Sequence, residues 1–152
     1  MTEFPFIHDD FILGSDTARR LYHGYAEVMP IIDYHCHLPP AEVAEDRCWR
    51  TITDAWLGGD HYKWRAMRSN GIDEQLITGQ AGDWEKFEAW AATMPRLLGN
   101  PLYHWNQLEL ARYFEVFDLL NPDSARDIYD RCNAALAGPG FSARGLIERS
   151  KV

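Results

Sequence analysis

One short run limits what this chain can fold into, because it is the only segment whose pattern predicts a β-strand. The run PIIDYHCHLPP spans Pro30–Pro40, and its apolar part, Ile31–Tyr34, is partly β-branched and bounded by prolines. The other periodic segments have the spacing of amphipathic helices. We therefore expect a mostly helical chain with one short, buried strand at Ile31–Tyr34.

This strand would deliver two histidines, His35 and His37, at its C-terminal end. Side chains alternate faces along an extended strand, so the two imidazoles would point the same way, roughly 6.5 to 7 Å apart. Cys36 would face the opposite side, where core packing is its ordinary role. The spacing alone fits a metal site and a solvated strand end equally well.

Context favours the metal site, since buried strands of parallel α/β barrels present functional residues at their C-terminal ends. A zinc-like ion needs three or four ligands, so His35 and His37 would leave its coordination incomplete. Asp33 would lie on the same strand face. It could orient a ligand, or it could simply form a hydrogen bond in the interior.

Helix signals are strong over much of the remaining sequence. Caps, glycines, prolines and apolar spacing predict helices from Ser15 or Asp16 to about Val28, from Pro39 or Pro40 onwards, over His61–Ser69, from Asp83 through an apolar series ending at Leu98, from Leu102 to about Leu119, from Asn121 to about Leu136, and from Ser142 to Arg149 or Ser150. The helix from Leu102 carries apolar residues around most of its circumference, which predicts that it is largely buried.

The helix predicted at His61–Ser69 has Asp60 as its N-cap, and this places His61 and Tyr62 in its first turn. A helix N-terminus presents backbone N–H groups and a partial positive charge, which suits an anionic ligand. The alternative is that His61 and Tyr62 pack against Trp56 and Trp64.

The composition of the chain limits the classes of partner that it can bind. The chain has 152 residues, 46% of them hydrophobic, which is enough for one domain with a real core. Its 23 acidic and 15 basic residues give a net charge of −8, so a small molecule is a better partner than nucleic acid.

No signal segment or membrane span is apparent, and three cysteines form no CxxC pair, so we expect a soluble, cytoplasmic protein with reduced, mostly buried thiols.

Several motifs together resemble one enzyme family. The stretches MPIIDYHCHLPP, GDHYKWRAMRSNGI, ITG, KFEAWAATMP and GNPLYHWNQLELARYF occur in this order and are similar to the N-terminal part of uronate isomerases of the amidohydrolase superfamily. DYHCHL is typical of the superfamily, whereas HYKWR and GNPLYHW are more specific to the family.

The resemblance implies a distorted (β/α)8 TIM barrel of the metal-dependent hydrolase type, with a helical insertion after strand 1. Residues 1–40 would hold the N-terminal helix and the first barrel strand, and 41–152 the helical elaboration. The implied reaction interconverts aldo- and keto-uronates: D-glucuronate with D-fructuronate, and D-galacturonate with D-tagaturonate. His35 and His37 match metal ligands of the family, the cofactor being a divalent metal such as zinc, and His61 and Tyr62 match a pair near the uronic acid substrate, with Tyr62 as a catalytic electrophile.

A closed barrel needs on the order of 250 residues, so 152 cannot form one. We expect the rest of the barrel, the general base and the remaining metal ligands to lie beyond Val152, and the 152-residue chain to have little or no isomerase activity. A non-enzymatic helical module and another metal-dependent hydrolase of the superfamily stay as alternatives. We expect no membrane partner, and the sequence leaves a homo-oligomer open.

Overall fold

A computed structural model describes residues 5–36 and 38–152 of the protein. Eight α-helices lie in these ranges: α1 (Asp16–Leu21), α2 (Pro40–Ala44), α3 (Ile52–Leu57), α4 (His61–Ser69), α5 (Asp83–Thr93), α6 (Pro101–Phe114), α7 (Ala125–Leu136) and α8 (Ala143–Arg149). A π-helical turn, Tyr22–Ala26, continues α1, and 3-10 turns cover Glu74–Leu76 and Met94–Arg96. The prediction of a mostly helical chain is confirmed.

The chain divides into two compact units. One is continuous, Trp49–Gly138, and the other joins the N-terminal part up to Cys48 with Pro139–Val152. Within the described ranges, no helix combines the roughly 20-residue length and the apolar composition that crossing a bilayer requires.

Helix α5 is central to the unit Trp49–Gly138 and contacts α3, α4 and α7. Its Phe87 and Trp90 are fully buried, and burial of a large apolar side chain contributes about 1.5–3 kcal/mol. The Phe87 ring lies 5.1 Å from that of Tyr129 on α7 and 6.2 Å from that of Trp56 on α3. These rings join three helices into one core.

Polar contacts fix where α3 begins. Thr51 caps it by accepting the Asp54 N–H at 3.1 Å and donates to the Asp83 carboxylate at 2.8 Å. The Ile52 N–H donates to the Asn133 side-chain oxygen on α7 at 2.8 Å. Side chains from α7 and the start of α5 therefore bind backbone and hydroxyl groups that α3 leaves unpaired at its first turn.

Two helices end differently from the sequence prediction. After α5 the chain tightens into the 3-10 turn Met94–Arg96, which shifts the register, so Leu97 is buried and the predicted Leu98 is 75% exposed. Helix α6 ends at Phe114 because Glu115 adopts a left-handed conformation with φ 55°, well before the predicted Leu119. Helix α6 is largely buried, as predicted, because eleven of its fourteen residues are buried or half-buried, although Trp105 is 53% exposed.

In the other unit, Ser15 caps α1 as predicted, accepting the Ala18 N–H at 3.1 Å. Arg144 at the start of α8 donates from Nε to the Val43 carbonyl at 2.9 Å, and its backbone N–H donates to the Asp46 carboxylate at 3.0 Å. An isolated antiparallel bridge joins Cys48 to Ser142. The segment around α2 is thereby tied to α8.

The structure does not confirm the predicted strand Ile31–Tyr34. Within the described ranges this run forms no β-strand, and Ile32 and Tyr34 are 86% and 96% exposed instead of buried. The Ile31 N–H donates to the Lys151 carbonyl at 2.8 Å, but no strand among the described residues lies beside the run. An extended segment becomes a strand only when a neighbour completes its hydrogen-bond ladder, so local apolar pattern alone did not suffice.

The expectation of mostly buried thiols was also wrong. All three cysteines are free, and Cys36 and Cys48 are exposed while Cys132 is buried on α7. Burial raises the pKa of the Cys132 thiol to about 12.

Candidate functional site

The first turn of α4 brings His61 and Tyr62 together, as the sequence predicts. Their ring centroids lie 4.6 Å apart at an interplanar angle of 30°, and both side chains are exposed, Tyr62 to 52%. The Arg65 guanidinium lies 5.8 Å from the Tyr62 ring centroid. An imidazole, a phenol and a guanidinium therefore share one exposed end of the helix.

Three backbone N–H groups at this end of α4 already have acceptors, which limits the expectation that this turn presents N–H groups to an anion. Asp60 Oδ1 accepts the Tyr62 N–H at 2.9 Å and the Lys63 N–H at 3.1 Å. The Asp60 carbonyl accepts the Trp64 N–H at 3.1 Å. An anionic ligand here would rely mainly on side chains, because the Tyr62, Lys63 and Trp64 amides already have acceptors.

Lys63 neutralises the capping carboxylate from inside the unit. Its Nζ donates to Asp60 Oδ2 at 2.7 Å, and its side chain is only 7% exposed, against 29% for Asp60. The ammonium also lies 5.7 Å from the Trp56 ring centroid. Burial by itself would raise the pKa of Asp60, but the Lys63 charge and the hydrogen bonds outweigh it, so the pKa lies below its ordinary value.

Glu109 on α6 adds a second carboxyl group to this cluster. Asn106 Nδ2 donates to Glu109 Oε2 at 3.2 Å. Burial raises the pKa of Glu109, although the Lys63 charge and the hydrogen bonds from Asn106 and Trp56 act in the opposite direction. The cluster thus combines one ammonium with a charged carboxylate and with a carboxyl group that retains its proton more readily than usual.

Sequence inspection missed this cluster, although part of its signal was present. Asp60 and Lys63 have the i, i+3 spacing of a helical ion pair. Glu109 stands between Leu108 and Leu110 in an apolar stretch, where a charged residue is unusual. Its proximity to Lys63 depends on tertiary packing, which local spacing does not encode.

Only one of the two proposed metal ligands, His35, lies among the described residues. His35 is exposed, and its backbone N–H donates to Asp33 Oδ1 at 3.1 Å. His37 lies outside the described residues. In ranges 5–36 and 38–152 no three His, Cys, Asp or Glu side chains gather as a metal would require. The described residues therefore supply fewer ligands than a bound ion needs.

Solved structures that share this arrangement of helices are uronate isomerases, the class of proteins to which this chain is similar. A uronate isomerase from Thermotoga maritima superposes with a TM-score of 0.91 at 32% sequence identity, covering 98% of this chain and 32% of that one. A glucuronate isomerase from Caulobacter crescentus gives 0.85 at 27% identity, covering 98% and 34%.

Comparison with related sequences shows the family to which the chain belongs. Over 148 residues the chain is 59% identical to the uronate isomerase of Pectobacterium carotovorum and 58% identical to that of Bacillus licheniformis, covering 97% of this chain in both cases. It spans only 32% and 31% of the length of these relatives. The family model described as glucuronate isomerase matches residues 1–152, so the chain belongs to the glucuronate isomerase family, as its motifs indicated.

Proposed function

We propose that this chain forms part of an aldose–ketose isomerase that interconverts D-glucuronate with D-fructuronate and D-galacturonate with D-tagaturonate. The observation that carries the proposal is the family match over residues 1–152, supported by relatives named uronate isomerase at 59% and 58% identity. Because the chain spans about a third of those relatives, the reaction is proposed for the whole protein, and the 152-residue chain alone is expected to be inactive.

The whole protein is proposed to be a distorted (β/α)8 barrel in which Ile31–Tyr34 forms the first strand. The high exposure of Ile32 and Tyr34, 86% and 96%, supports this, since such side chains are usually covered in a complete domain. Neighbouring strands would complete the backbone hydrogen bonds that this run lacks in the described residues.

His61 and Tyr62 are the proposed substrate-binding residues, and Tyr62 the proposed catalytic one. Aldose–ketose isomerisation moves a proton between adjacent carbons while negative charge develops on a sugar oxygen. A phenol O–H donating to that oxygen would stabilise the charge. The Asp60–Lys63 ion pair supports this role. Its ammonium neutralises a carboxylate next to the site that would otherwise repel an anionic substrate.

A divalent metal, zinc by preference, is proposed as the cofactor of the whole protein, with His35 and His37 as two of its ligands. Bound near the sugar oxygens, such an ion would act as a Lewis acid. The described residues supply too few ligands, so the remaining donors must come from elsewhere in the whole protein.

The proposed partner is a uronic acid, without nucleic acid or membrane partners. The net charge of −8 supports a small molecule over nucleic acid. A cytoplasmic location is proposed on the three free cysteines. A homo-oligomer is compatible with these features.

Complementation tests the proposal. The chain would be co-expressed with the part of the Pectobacterium carotovorum uronate isomerase that its 148-residue match leaves uncovered, and D-glucuronate conversion to ketose measured. We expect no turnover by either piece alone and turnover by the pair, strongly reduced by Tyr62→Phe and His61→Asn but not by the control His104→Asn.

A purified complex without turnover of either uronate would refute the proposed reaction. Activity on an ester or amide instead would favour a hydrolase of the same superfamily. Failure to form any complex would favour the non-enzymatic helical module.

A further inference from the structure

A histidine outside the candidate site is held between two carboxylates. His23, in the π-helical turn, places Nε2 2.8 Å from Asp10 Oδ1 and Nδ1 3.2 Å from Glu27 Oε2. Asp10 belongs to the N-terminal loop, residues 7–14, and Glu27 directly follows the π-helical turn. One imidazole ring therefore joins two segments through its two nitrogens.

Only the protonated ring satisfies both contacts. Ionised carboxylates accept hydrogen bonds and cannot donate them. A neutral imidazole has one N–H, so its other nitrogen would face a carboxylate with lone pairs on both sides, which is repulsive. The imidazolium has two N–H groups and can donate to Asp10 and Glu27 at once.

A guanidinium whose charge does not change with the state of His23 also contacts Asp10. Arg19 approaches Asp10 at 4.0 Å, pairs with Asp16 at 2.7 Å and donates to the Leu13 carbonyl at 2.9 Å. Because Arg19 holds Leu13 whatever the state of His23, the N-terminal loop keeps one pH-independent attachment.

Two further groups complete the surroundings of the bridge. The Tyr22 ring lies 5.2 Å from His23, edge to face, and Lys151 Nζ lies 3.4 Å from the Glu27 carbonyl. On the loop side, His8 Nδ1 accepts the Asp10 N–H at 3.2 Å. A metal ion does not fit between these groups, since Asp10 and Glu27 lie at opposite nitrogens of the ring.

We propose that His23 is a proton-dependent bridge: its imidazolium joins Asp10 of the N-terminal loop to Glu27 after the π-helical turn, and loss of the proton releases Glu27 first. Glu27 is released first because the Nε2–Asp10 contact is the shorter one, so the remaining proton stays on Nε2.

The two carboxylates beside His23 determine the direction in which the pKa of its imidazole shifts. Hydrogen bonds to Asp10 and then to Glu27 raise the pKa of His23 above its ordinary value. A histidine whose pKa is raised by folding stabilises the folded state below the unfolded-state pKa, and that contribution is lost as pH rises through the folded-state value. The bridge therefore forms in mildly acidic solution and opens on the alkaline side.

NMR on the complete 152-residue chain tests this inference. Ring nitrogens of His23, assigned with the His23→Gln variant, would be followed from about pH 5 to about pH 9, the range in which histidine titrates. We expect two protonated nitrogens at low pH and the Nε2–H tautomer at high pH. Asp10→Asn and Glu27→Gln should each lower the His23 pKa, whereas the neighbouring control Asp9→Asn should not.

Amide exchange provides an independent measurement. The Glu27 N–H donates to the Tyr22 carbonyl at 2.9 Å, so its protection reports the π-helical turn. We expect the wild-type amide to exchange more slowly than that of His23→Gln at low pH and at the same rate above the transition. Equal rates at low pH, or Asp10→Asn and Glu27→Gln variants that titrate like Asp9→Asn, would overturn the inference.

Discussion

Replacing Lys63 with methionine should destabilise the protein far more than removal of an exposed cation. Lys63 is 7% exposed and contacts Asp60 at 2.7 Å, with Glu109 in the same cluster. Methionine keeps most of the apolar stem, so the main loss is the ammonium group. Asp60 would then be a partly buried carboxylate without its cation.

The magnitude follows from burial. Removing one partner of a buried ion pair costs about 3–5 kcal/mol. Asp60 is still 29% exposed and keeps two amide donors, so we expect a loss at or below the bottom of that range, about 2–3 kcal/mol. For a chain of this size, that corresponds to a fall in Tm of roughly 5–10 °C.

Urea denaturation followed by tryptophan fluorescence measures this difference, with Arg68→Met as the matched control. Arg68 lies on the same helix and pairs with Glu74, but the two side chains are 45% and 53% exposed, so the control should lose less than about 1 kcal/mol. Adding Asp60→Asn to Lys63→Met should recover part of the loss, because asparagine caps a helix without a charge.

The effect should also depend on pH. The pKa of Asp60 is lowered in the folded protein, so its stabilising contribution is present above the ordinary aspartate pKa of about 4 and is lost as pH falls through the folded-state value. The difference between wild type and Lys63→Met should shrink below that pH. A loss no larger than that of Arg68→Met at neutral pH would contradict the buried ion pair.

Three further outcomes are expected. A thiol reagent such as DTNB should modify the two exposed cysteines of the native protein but Cys132 only after unfolding, since its pKa is about 12, and thiol counts before and after denaturation check this. Asn133→Ala should cost about 1–3 kcal/mol in urea, because it leaves the first N–H of α3 without its acceptor. Gly58→Ala should lower Tm, as its Cβ would overlap the Asp54 carbonyl oxygen, whereas Gly59→Ala, with open space around it, should not.

Local signals predicted the elements that depend on local chemistry. Asp60 and Ser142 are N-caps, and the helices that follow, α4 and α8, begin where the caps indicate. The position of His61 and Tyr62 in the first turn of α4 followed directly from the Asp60 cap.

Features that depend on distant residues could not be predicted in this way. A strand at Ile31–Tyr34 requires a neighbour, and pattern cannot state whether one is present. Helix α6 ends where Glu115 adopts a left-handed backbone conformation, a position usually taken by glycine or asparagine, so the sequence does not signal this end. The link between Lys63 and Glu109 arises only when α6 packs near α4.

The β-bridge between Cys48 and Ser142 indicates where the polypeptide could be cut and rejoined. The chain leaves the discontinuous unit at Cys48 and returns at Pro139, so the ninety or so intervening residues begin and end at neighbouring points of that unit. Insertions with adjacent ends are readily excised or transplanted. A few glycines in place of Trp49–Gly138 should let the surrounding unit close, and the excised polypeptide, with its own aromatic core, should fold independently.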